Sequence, residues 1–592
     1  MKIIYILSIT LLIASFLILK KSNKKKNILS SIIYSICFLF PYQTTIVYIS
    51  GLFNLGGSLL YYSILNIIIS LLLLIPTINK KQIQKYYFDK KEIFLYLSLV
   101  LIIFIIVFIR FRGFTIITYM SDDSSIHYKM TTHFKRELTY LNKTNSKDLL
   151  YHEFSKTMPA SYINGGFFLK LFDNIKPYKA FIIYDMVCLI LSSLLFLSTI
   201  LTLYKKKIDR YLPFFIITVL YIITFPLNNL LYGFFYLGIG IMIINLIFIT
   251  IKDTETNLTK NLYFNLIILF ILNLSLFFSY YLFVPNFYLT TGILYIIQYK
   301  NKKISSNIFL KYGIITLIIP FIIGFTHFIL PSFFNKSGTV FKIITLYGSI
   351  YNNLTPLYLY IIFLVYLGYK AYSKRLNIKD FTSLNIYIIS LYCLIFLILF
   401  ILRISNIYYF YKLFYLFSLF IAIYLSKTII KNRKKLYIAS SIIIILILIP
   451  PICGKSIITK FISKTNIYSY NSNEIFNPEI RFKKEELDIV EHVIKSKKAC
   501  SFNHEIPIIT NTHKKFWYYA ITNTFPTVGH NDIGRHQLDV PSIKFDWWER
   551  NANHPCIVYF YEGKDFKYSK DKFKVLYENK SGVILKKISK NN

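Results

Sequence analysis

The sequence predicts an all-α polytopic membrane protein with about fourteen transmembrane helices and a small extracytoplasmic α/β domain at its C-terminal end. Three observations predict this class. Hydrophobic residues make up 55% of the 592 residues, which exceeds the share usual in soluble domains. Apolar runs recur along the chain, each close to the roughly 20 residues that cross a bilayer as a helix. Basic residues collect in alternate connecting loops, as is typical of a multi-pass protein.

The apolar runs place the predicted spans at 2–19, 28–48, 58–77, 93–110, 179–203, 211–228, 231–251, 261–280, 282–298, 312–331, 355–372, 382–402, 413–426 and 436–453. Only Lys2 precedes the first run, and no clear small-residue cleavage site follows it. We therefore expect a retained span there rather than a signal peptide.

The net charge of +40 is distributed as membrane topology requires and does not indicate nucleic-acid binding. Lys and Arg cluster in alternate loops, such as 20–26 and 80–91, while the short loops between them carry no charge. Because positively charged loops stay in the cytoplasm, this pattern predicts an inner or plasma membrane protein whose N-terminus, loop 111–178 and C-terminal segment are extracytoplasmic. Anionic membrane lipids are the expected secondary partners of the basic loops.

Two domains are predicted, a transmembrane domain over 1–454 and an extracytoplasmic α/β domain over 455–592. The second domain contains a predicted amphipathic helix at 483–497 and short β-like runs at 508–510, 556–561 and 583–587. Cys500 and Cys556 both fall in this domain, where an extracytoplasmic location permits a disulfide.

The candidate catalytic residues are Asp122 and Asp123, which follow the fourth predicted span in a chain with 28 acidic and 68 basic residues. A carboxylate at a membrane boundary can accept a proton from a hydroxyl nucleophile. The alternative is that the pair caps the helix predicted over 124–140, whose N-cap would be Ser121, Ser124 or Ser125. That helix has an apolar stripe at i+4 spacing that would face lipid or neighbouring spans, and it is expected to lie on the membrane surface.

Five further residues are candidate substrate-binding residues: His127, Arg403, Tyr408, Tyr409 and Lys412. His127 lies four residues after Asp123, so the two side chains share a face if the helix begins early enough. Arg403 and Lys412 can hold a phosphate through charge-assisted contacts. The alternatives are an ordinary interfacial polar residue for His127 and snorkelling towards head groups for the two cations.

The acidic motif with His127, the Met158–Gly166 stretch and the aromatic, basic run 408–412 together resemble the GT-C superfamily of membrane glycosyltransferases. The resemblance implies an extracytoplasmic acidic loop that holds the catalytic carboxylate, and an outer aromatic loop near the donor phosphate. It further implies transfer of a sugar, with inversion, from a polyprenyl-phosphate-linked donor to a glycan, lipid or protein acceptor. Such a reaction belongs to cell-envelope or surface-polysaccharide synthesis.

Two alternatives remain open at this stage. A polysaccharide polymerase or ligase would use the same lipid-linked donors, and a lipid or polysaccharide transporter (flippase) would move them. The transporter hypothesis predicts internal repeats and charges deep in several spans, and the sequence displays neither pattern. The two adjacent carboxylates suit a divalent metal such as Mg²⁺ or Mn²⁺, but the sequence offers no complete ligand set and we predict no metal site.

Overall fold

The computed structural model of the chain describes residues 1–19, 26–78, 86–140, 158–203, 211–254, 262–330, 355–373, 381–429, 467–496, 500, 512–522, 556–561 and 566–588. The predicted span 436–453, the β-like run 508–510 and the predicted domain boundary at 454 and 455 lie outside these residues.

Helices dominate the described residues. They are α1 (Lys2–Leu19), α2 (Ile28–Leu52), α3 (Leu59–Ile78), α4 (Lys90–Arg110), α5 (Asp123–Glu137), α6 (Ala160–Leu171), α7 (Pro177–Leu203), α8 (Tyr211–Ile223), α9 (Phe225–Tyr232), α10 (Phe235–Thr254), α11 (Leu262–Tyr280), α12 (Val284–Lys300), α13 (Ser306–Tyr312), α14 (Ile319–Gly324), α15 (Thr355–Tyr372), α16 (Phe381–Ile401), α17 (Ile407–Ile429), α18 (Ile467–Phe476), α19 (Lys484–Lys495) and α20 (Thr512–Thr522). A 3₁₀ turn separates α11 from α12, and π-helical turns lie on both sides of α14.

The prediction of a multi-pass helical membrane protein is confirmed. Nine stretches of the described residues are long and apolar enough to cross a membrane: Ile28–Leu52, Lys90–Arg110, Pro177–Leu203, Tyr211–Tyr232, Phe235–Lys252, Leu262–Lys300, Ser306–Ile329, Phe381–Ile401 and Ile407–Tyr424. Shorter apolar helices occupy Lys2–Leu17, Leu59–Ile75 and Pro356–Tyr369, where further spans are predicted. The predicted count of about fourteen is not reached among these residues. The stretch Leu262–Lys300 covers two predicted spans, 261–280 and 282–298, and the predicted span 436–453 lies outside the described residues.

Helix α4 presents one apolar face to the protein and exposes another. In α4 the buried apolar residues recur about every four positions, at Leu95, Leu99, Ile103 and Val107. The side chains between them, such as Phe104, are exposed on the other face. Since lipid tails are as apolar as these side chains, exposure on this face is the expected state inside a bilayer.

The C-terminal end carries a small antiparallel sheet of β3 (Cys556–Phe560), β4 (Phe573–Asn579) and β5 (Gly582–Lys587), with β5 in the centre. A separate pair of two-residue strands, β1 (Lys26–Asn27) and β2 (Tyr86–Tyr87), joins the segments before α2 and α4. Cys500 and Cys556 form a disulfide, as the sequence permits. The predicted helix at 483–497 is α19, and the predicted strand runs at 556 and 583 are β3 and β5.

The segment between α4 and α5 is held by residues from near the C-terminus. Arg110 is fully buried and donates to the backbone oxygens of Glu474 and Thr118. Phe482 and Ile117 form a backbone bridge. The Trp517 ring of α20 stacks on Tyr119 with ring centroids 5.8 Å apart. These contacts fix the backbone that leads directly into the acidic motif.

Candidate functional site

The acidic motif forms the start of α5. Asp123 is the first helical residue, and Asp122 occupies the N-cap position without a side-chain hydrogen bond to the helix. The cap is instead Ser121, whose Oγ accepts from the backbone N–H of Asp123 at 3.2 Å. The Asp122 side chain therefore does not perform the capping role that was the alternative explanation for the pair. Asp123 is exposed, so its carboxylate is accessible to a reactant.

The apolar stripe of α5 packs inside the protein. Met130, Phe134 and Leu138 are buried, and Lys129 and His133, which lie off this stripe, are buried as well. Neighbouring helix α6 comes so close that a Cβ at Gly166 would lie 2.4 Å from the Phe134 ring. The helix is therefore covered on more than one side, and its stripe packs against neighbouring helices, one of the two environments that the sequence predicts. Its residue His127 bonds Tyr162 of α6, a contact that periodicity alone does not reveal.

His127 lies one turn after Asp123 on α5 and contacts two other helices. Its Nδ1 is 2.8 Å from the Tyr162 hydroxyl of α6. The rings of Phe235 and Tyr236 at the start of α10 lie 5.3 and 5.2 Å from the imidazole. Burial and the nearby charge of Lys412 lower the pKa of His127 to about 3. The imidazole is therefore neutral at physiological pH.

This neutral histidine makes the fold sensitive to acid. Between pH 6.5 and about 3 the unfolded chain binds a proton at His127 that the native chain does not, so stability falls as the pH falls through that window. We expect His127→Gln to flatten the decline of Tm between pH 7 and pH 4, measured by intrinsic fluorescence in detergent. His492 on α19 is the matched control, because it lies away from this site with Nδ1 bonded to its own helix. An equal flattening by His492→Gln would contradict the expectation.

Lys412 is the second charged member of the site, and it lies inside an aromatic cage formed by Phe234, Tyr236, Tyr280 and Tyr408. The side chain is only 4% exposed. Its Nζ lies 4.4 Å from the centroid of the Tyr408 ring and 4.6 Å from that of Phe234, and it donates to the Tyr236 hydroxyl. An ammonium group over aromatic faces is held by cation–π attraction, which is stronger where water is excluded.

Asp123 and Lys412 face each other across this site. The Asp123 carboxylate lies within electrostatic reach of Lys412, and also of the cage residues Tyr236 and Tyr408. One charge is exposed at the start of α5 and the other is buried in the cage. The arrangement therefore combines an exposed proton acceptor, Asp123, with a buried amino group, Lys412.

Of the seven predicted site residues, the structure gathers Asp123, His127, Tyr408 and Lys412 into one cluster, with Asp122 adjoining it. Tyr409 is buried beside Tyr408, with ring centroids 5.2 Å apart. Arg403 is separate. It lies exposed in the turn before α17 with a φ of +58°, and in the described part of the chain its side chain forms no bond to the cluster.

Sequence reasoning missed Phe234 and Tyr236 of the cage, and Tyr162, which bonds His127. The first two belong to the run Phe234-Phe235-Tyr236 at the start of α10. Aromatic runs of this kind are frequent in an 18% aromatic chain, so their composition does not indicate a site. What could have pointed to these residues was their position at the predicted outer end of a span. Tyr162 lies within the Met158–Gly166 stretch but carries no distinguishing pattern of its own.

Gly233, between α9 and α10, brings the cage residues close to α5. Its φ of +74° is the left-handed conformation that glycine adopts without strain. A Cβ at this position would lie 2.5 Å from the Cβ of Ser124. We expect Gly233→Ala to destabilise the protein by about 1–3 kcal/mol, observed as a lower Tm. Gly368→Ala in α15, where a Cβ meets no atom within 4 Å, is the control and should leave Tm equal or higher.

An apolar cavity of about 540 Å³ lies close to the cage, between α11, α12 and the α13–α14 segment. Its walls include Phe277, Tyr281, Leu289 and Phe321. Tyr281 is the direct neighbour of the cage residue Tyr280, and their ring centroids are 5.9 Å apart. One wall residue of the cavity therefore packs against a cage residue, and the cavity has a size and lining suited to a hydrocarbon chain.

The described residues do not supply a divalent-metal site. They contain no group of three or more His, Cys, Asp or Glu side chains close enough to hold a metal ion. Asp122 and Asp123 lack further acidic or histidine ligands in that part of the structure, and we assign no step to a metal.

Comparison with known proteins adds no identification, since no family model, curated protein or solved structure matches this chain.

Proposed function

We propose that this protein is a membrane glycosyltransferase that moves a sugar from a polyprenyl-phosphate-linked donor to an acceptor on the extracytoplasmic side. The observation that carries the proposal is the pairing of an exposed carboxylate, Asp123, with a caged lysine, Lys412, beside an apolar cavity. A lipid-linked sugar phosphate has an apolar chain, a negative charge and a reactive anomeric carbon in that order. In this proposal the apolar cavity takes the lipid chain, Lys412 contacts the phosphate, and Asp123 activates the hydroxyl that attacks the anomeric carbon.

In the proposed reaction, Asp123 accepts the proton of an acceptor hydroxyl as its oxygen attacks the anomeric carbon. The bond between that carbon and the phosphate oxygen breaks, and polyprenyl phosphate leaves with both bonding electrons. Lys412 stabilises the negative charge of the departing phosphate, because a preorganised cation in a water-poor site is more effective than one in solvent. Attack opposite to the leaving group inverts the configuration at the anomeric carbon.

His127 positions the site in this proposal. Being neutral, it adds no second positive charge next to Lys412, and it contacts Tyr236 of the cage. The hydrogen bond to Tyr162 ties α5 to α6, and the ring contacts with Phe235 and Tyr236 tie α5 to α10. The proposed topology places this outer end of the bundle, the N-terminus and the C-terminal sheet outside the cytoplasm of an inner or plasma membrane, with about fourteen spans in the whole chain.

The test is an assay of the purified full chain in detergent or liposomes with polyprenyl-phosphate-linked sugars and, separately, nucleotide-linked sugars. We expect turnover of a lipid-linked donor with release of polyprenyl phosphate, and no turnover of nucleotide sugars. Movement of intact lipid-linked sugar across the liposome membrane, without cleavage of the sugar–phosphate bond, would overturn the proposal in favour of transport.

A further inference from the structure

A second, smaller cavity lies inside the transmembrane bundle between α7, α9 and α10. Its volume is about 20 Å³, and its walls include Asp185, Ser192, Asn229 and Gly238. A space of this size holds one water-sized species. Its polar wall residues, Asp185, Ser192 and Asn229, have no part in the reaction proposed above, so they need their own explanation.

The cavity is bordered by polar atoms that the protein leaves unsatisfied. Asp185 is 3% exposed, and its Oδ2 has no hydrogen-bond partner among the described residues. Asn229 is 2% exposed, and in that same part of the chain neither its Oδ1 nor its Nδ2 has a partner. Ser192 donates its only hydroxyl proton to the Leu189 carbonyl, which leaves the oxygen free to accept. Buried polar atoms without partners are costly, so an occupant is expected.

The chemical nature of that occupant depends on Asp185. No Lys, Arg or His in the described residues pairs with it, and the Tyr119 hydroxyl is its neutral polar neighbour. An uncompensated carboxylate inside a membrane protein is strongly unfavourable, so it is neutralised either by a bound proton or by a cation in contact with it. Carboxylate, amide and hydroxyl oxygens are the ligands that hard cations prefer.

The backbone beside the cavity belongs to an interrupted helix, which is an arrangement that suits cation binding. The helix that would run from Tyr211 to Tyr232 is broken at Thr224, and the short second half, α9, contributes Pro226 and Asn229 to the cavity wall. Discontinuous transmembrane helices release carbonyl oxygens at membrane depth and are used to coordinate monovalent ions. We propose that this cavity binds one sodium ion, with Asp185 as the charged ligand and Asn229 and Ser192 as neutral ligands.

The test uses the purified full chain in detergent, with NaCl exchanged for choline chloride at constant ionic strength. We expect retention of one radioactive ²²Na⁺ per chain and a saturable rise of Tm by a few degrees with Na⁺, since an ion that binds only the native state stabilises it. Asp185→Asn should weaken Na⁺ binding at least ten-fold. If the wild-type chain retained no ²²Na⁺ and had the same Tm in both salts, the proposal would be overturned.

Two further variants keep the result interpretable if Asp185→Asn fails to fold. Ser192→Ala should weaken Na⁺ binding several-fold, whereas Ser193→Ala should not, although both hydroxyls donate to the same Leu189 carbonyl. Gly238→Ala adds a methyl group to the cavity wall where a Cβ meets no atom within 4 Å, and it should abolish Na⁺ binding. Equal effects of the two serine variants would overturn the assignment. None of these measurements depends on glycosyl transfer.

Discussion

Replacement of Asp123 by Asn is expected to lower kcat for transfer from a polyprenyl-phosphate-linked donor by about 10²–10⁴-fold, the usual contribution of a general base. Asparagine has nearly the same size but cannot take a proton from the acceptor hydroxyl. Because Asp123 is exposed and Ser121 supplies the helix cap, the variant should insert normally and keep the Tm of the wild type. The measurement is the initial rate of polyprenyl phosphate release at a saturating concentration of the lipid-linked donor.

Asp122→Asn is the matched control for this experiment. Its side chain is adjacent in sequence but does not cap α5, and Asp123 is the carboxylate within electrostatic reach of Lys412. We expect less than about a ten-fold loss for Asp122→Asn. A larger loss for Asp122→Asn than for Asp123→Asn would move the base to the neighbouring residue. Full activity in both variants would eliminate the acidic motif as the source of the base.

The second large effect is expected for Lys412→Met, which should raise KM for the lipid-linked donor and lower kcat. Loss of a charge-assisted contact to phosphate is worth about 1.5–3 kcal/mol, or roughly 10- to 150-fold in kcat/KM. Methionine fills a similar volume within the aromatic cage. Since an apolar replacement removes the cost of burying a charge, Tm should remain equal or rise.

Arg403→Met is the control for Lys412→Met. Both residues were candidates for the phosphate contact, but Arg403 is exposed in a turn and Lys412 is buried in the cage. We expect Arg403→Met to change kcat/KM by less than about two-fold. Equal losses in the two variants, measured with the same donor, would show that the phosphate is not held within the cage.

The local parts of the site were predictable because they depend on spacing along single helices. Asp123 and His127 are four residues apart on α5, and Tyr408 and Lys412 are four apart on α17, so each pair shares a face. The approach of α5 to α17 and α10 depends on packing between segments hundreds of residues apart. Periodicity carries no information on such pairing, and this is why Phe234 and Tyr236 were missed.

Strand β4 was missed for a different reason. Charged side chains at Lys574 and Glu578 interrupt its apolar residues, and only its first residue, Phe573, is buried. It is an edge strand whose stability comes from pairing with the apolar strand β5, not from its own burial. For helix α5 the limits were close to those predicted. The burial of Lys129, which lies off the apolar stripe, was not predictable from its polar character.

The attachment of residues near 118 to residues near 480 has a consequence for how the protein is made. Arg110 and Glu474 are 364 positions apart, and Tyr119 and Arg481 are 362 apart. A ribosome delivers the acidic motif to the membrane long before it delivers the residues that fix its backbone, at about 5–20 residues per second. The site therefore matures only after residues near 480 have been made. A chain truncated before residue 470 carries every spatially clustered candidate residue yet lacks these contacts, which fix the backbone before the acidic motif.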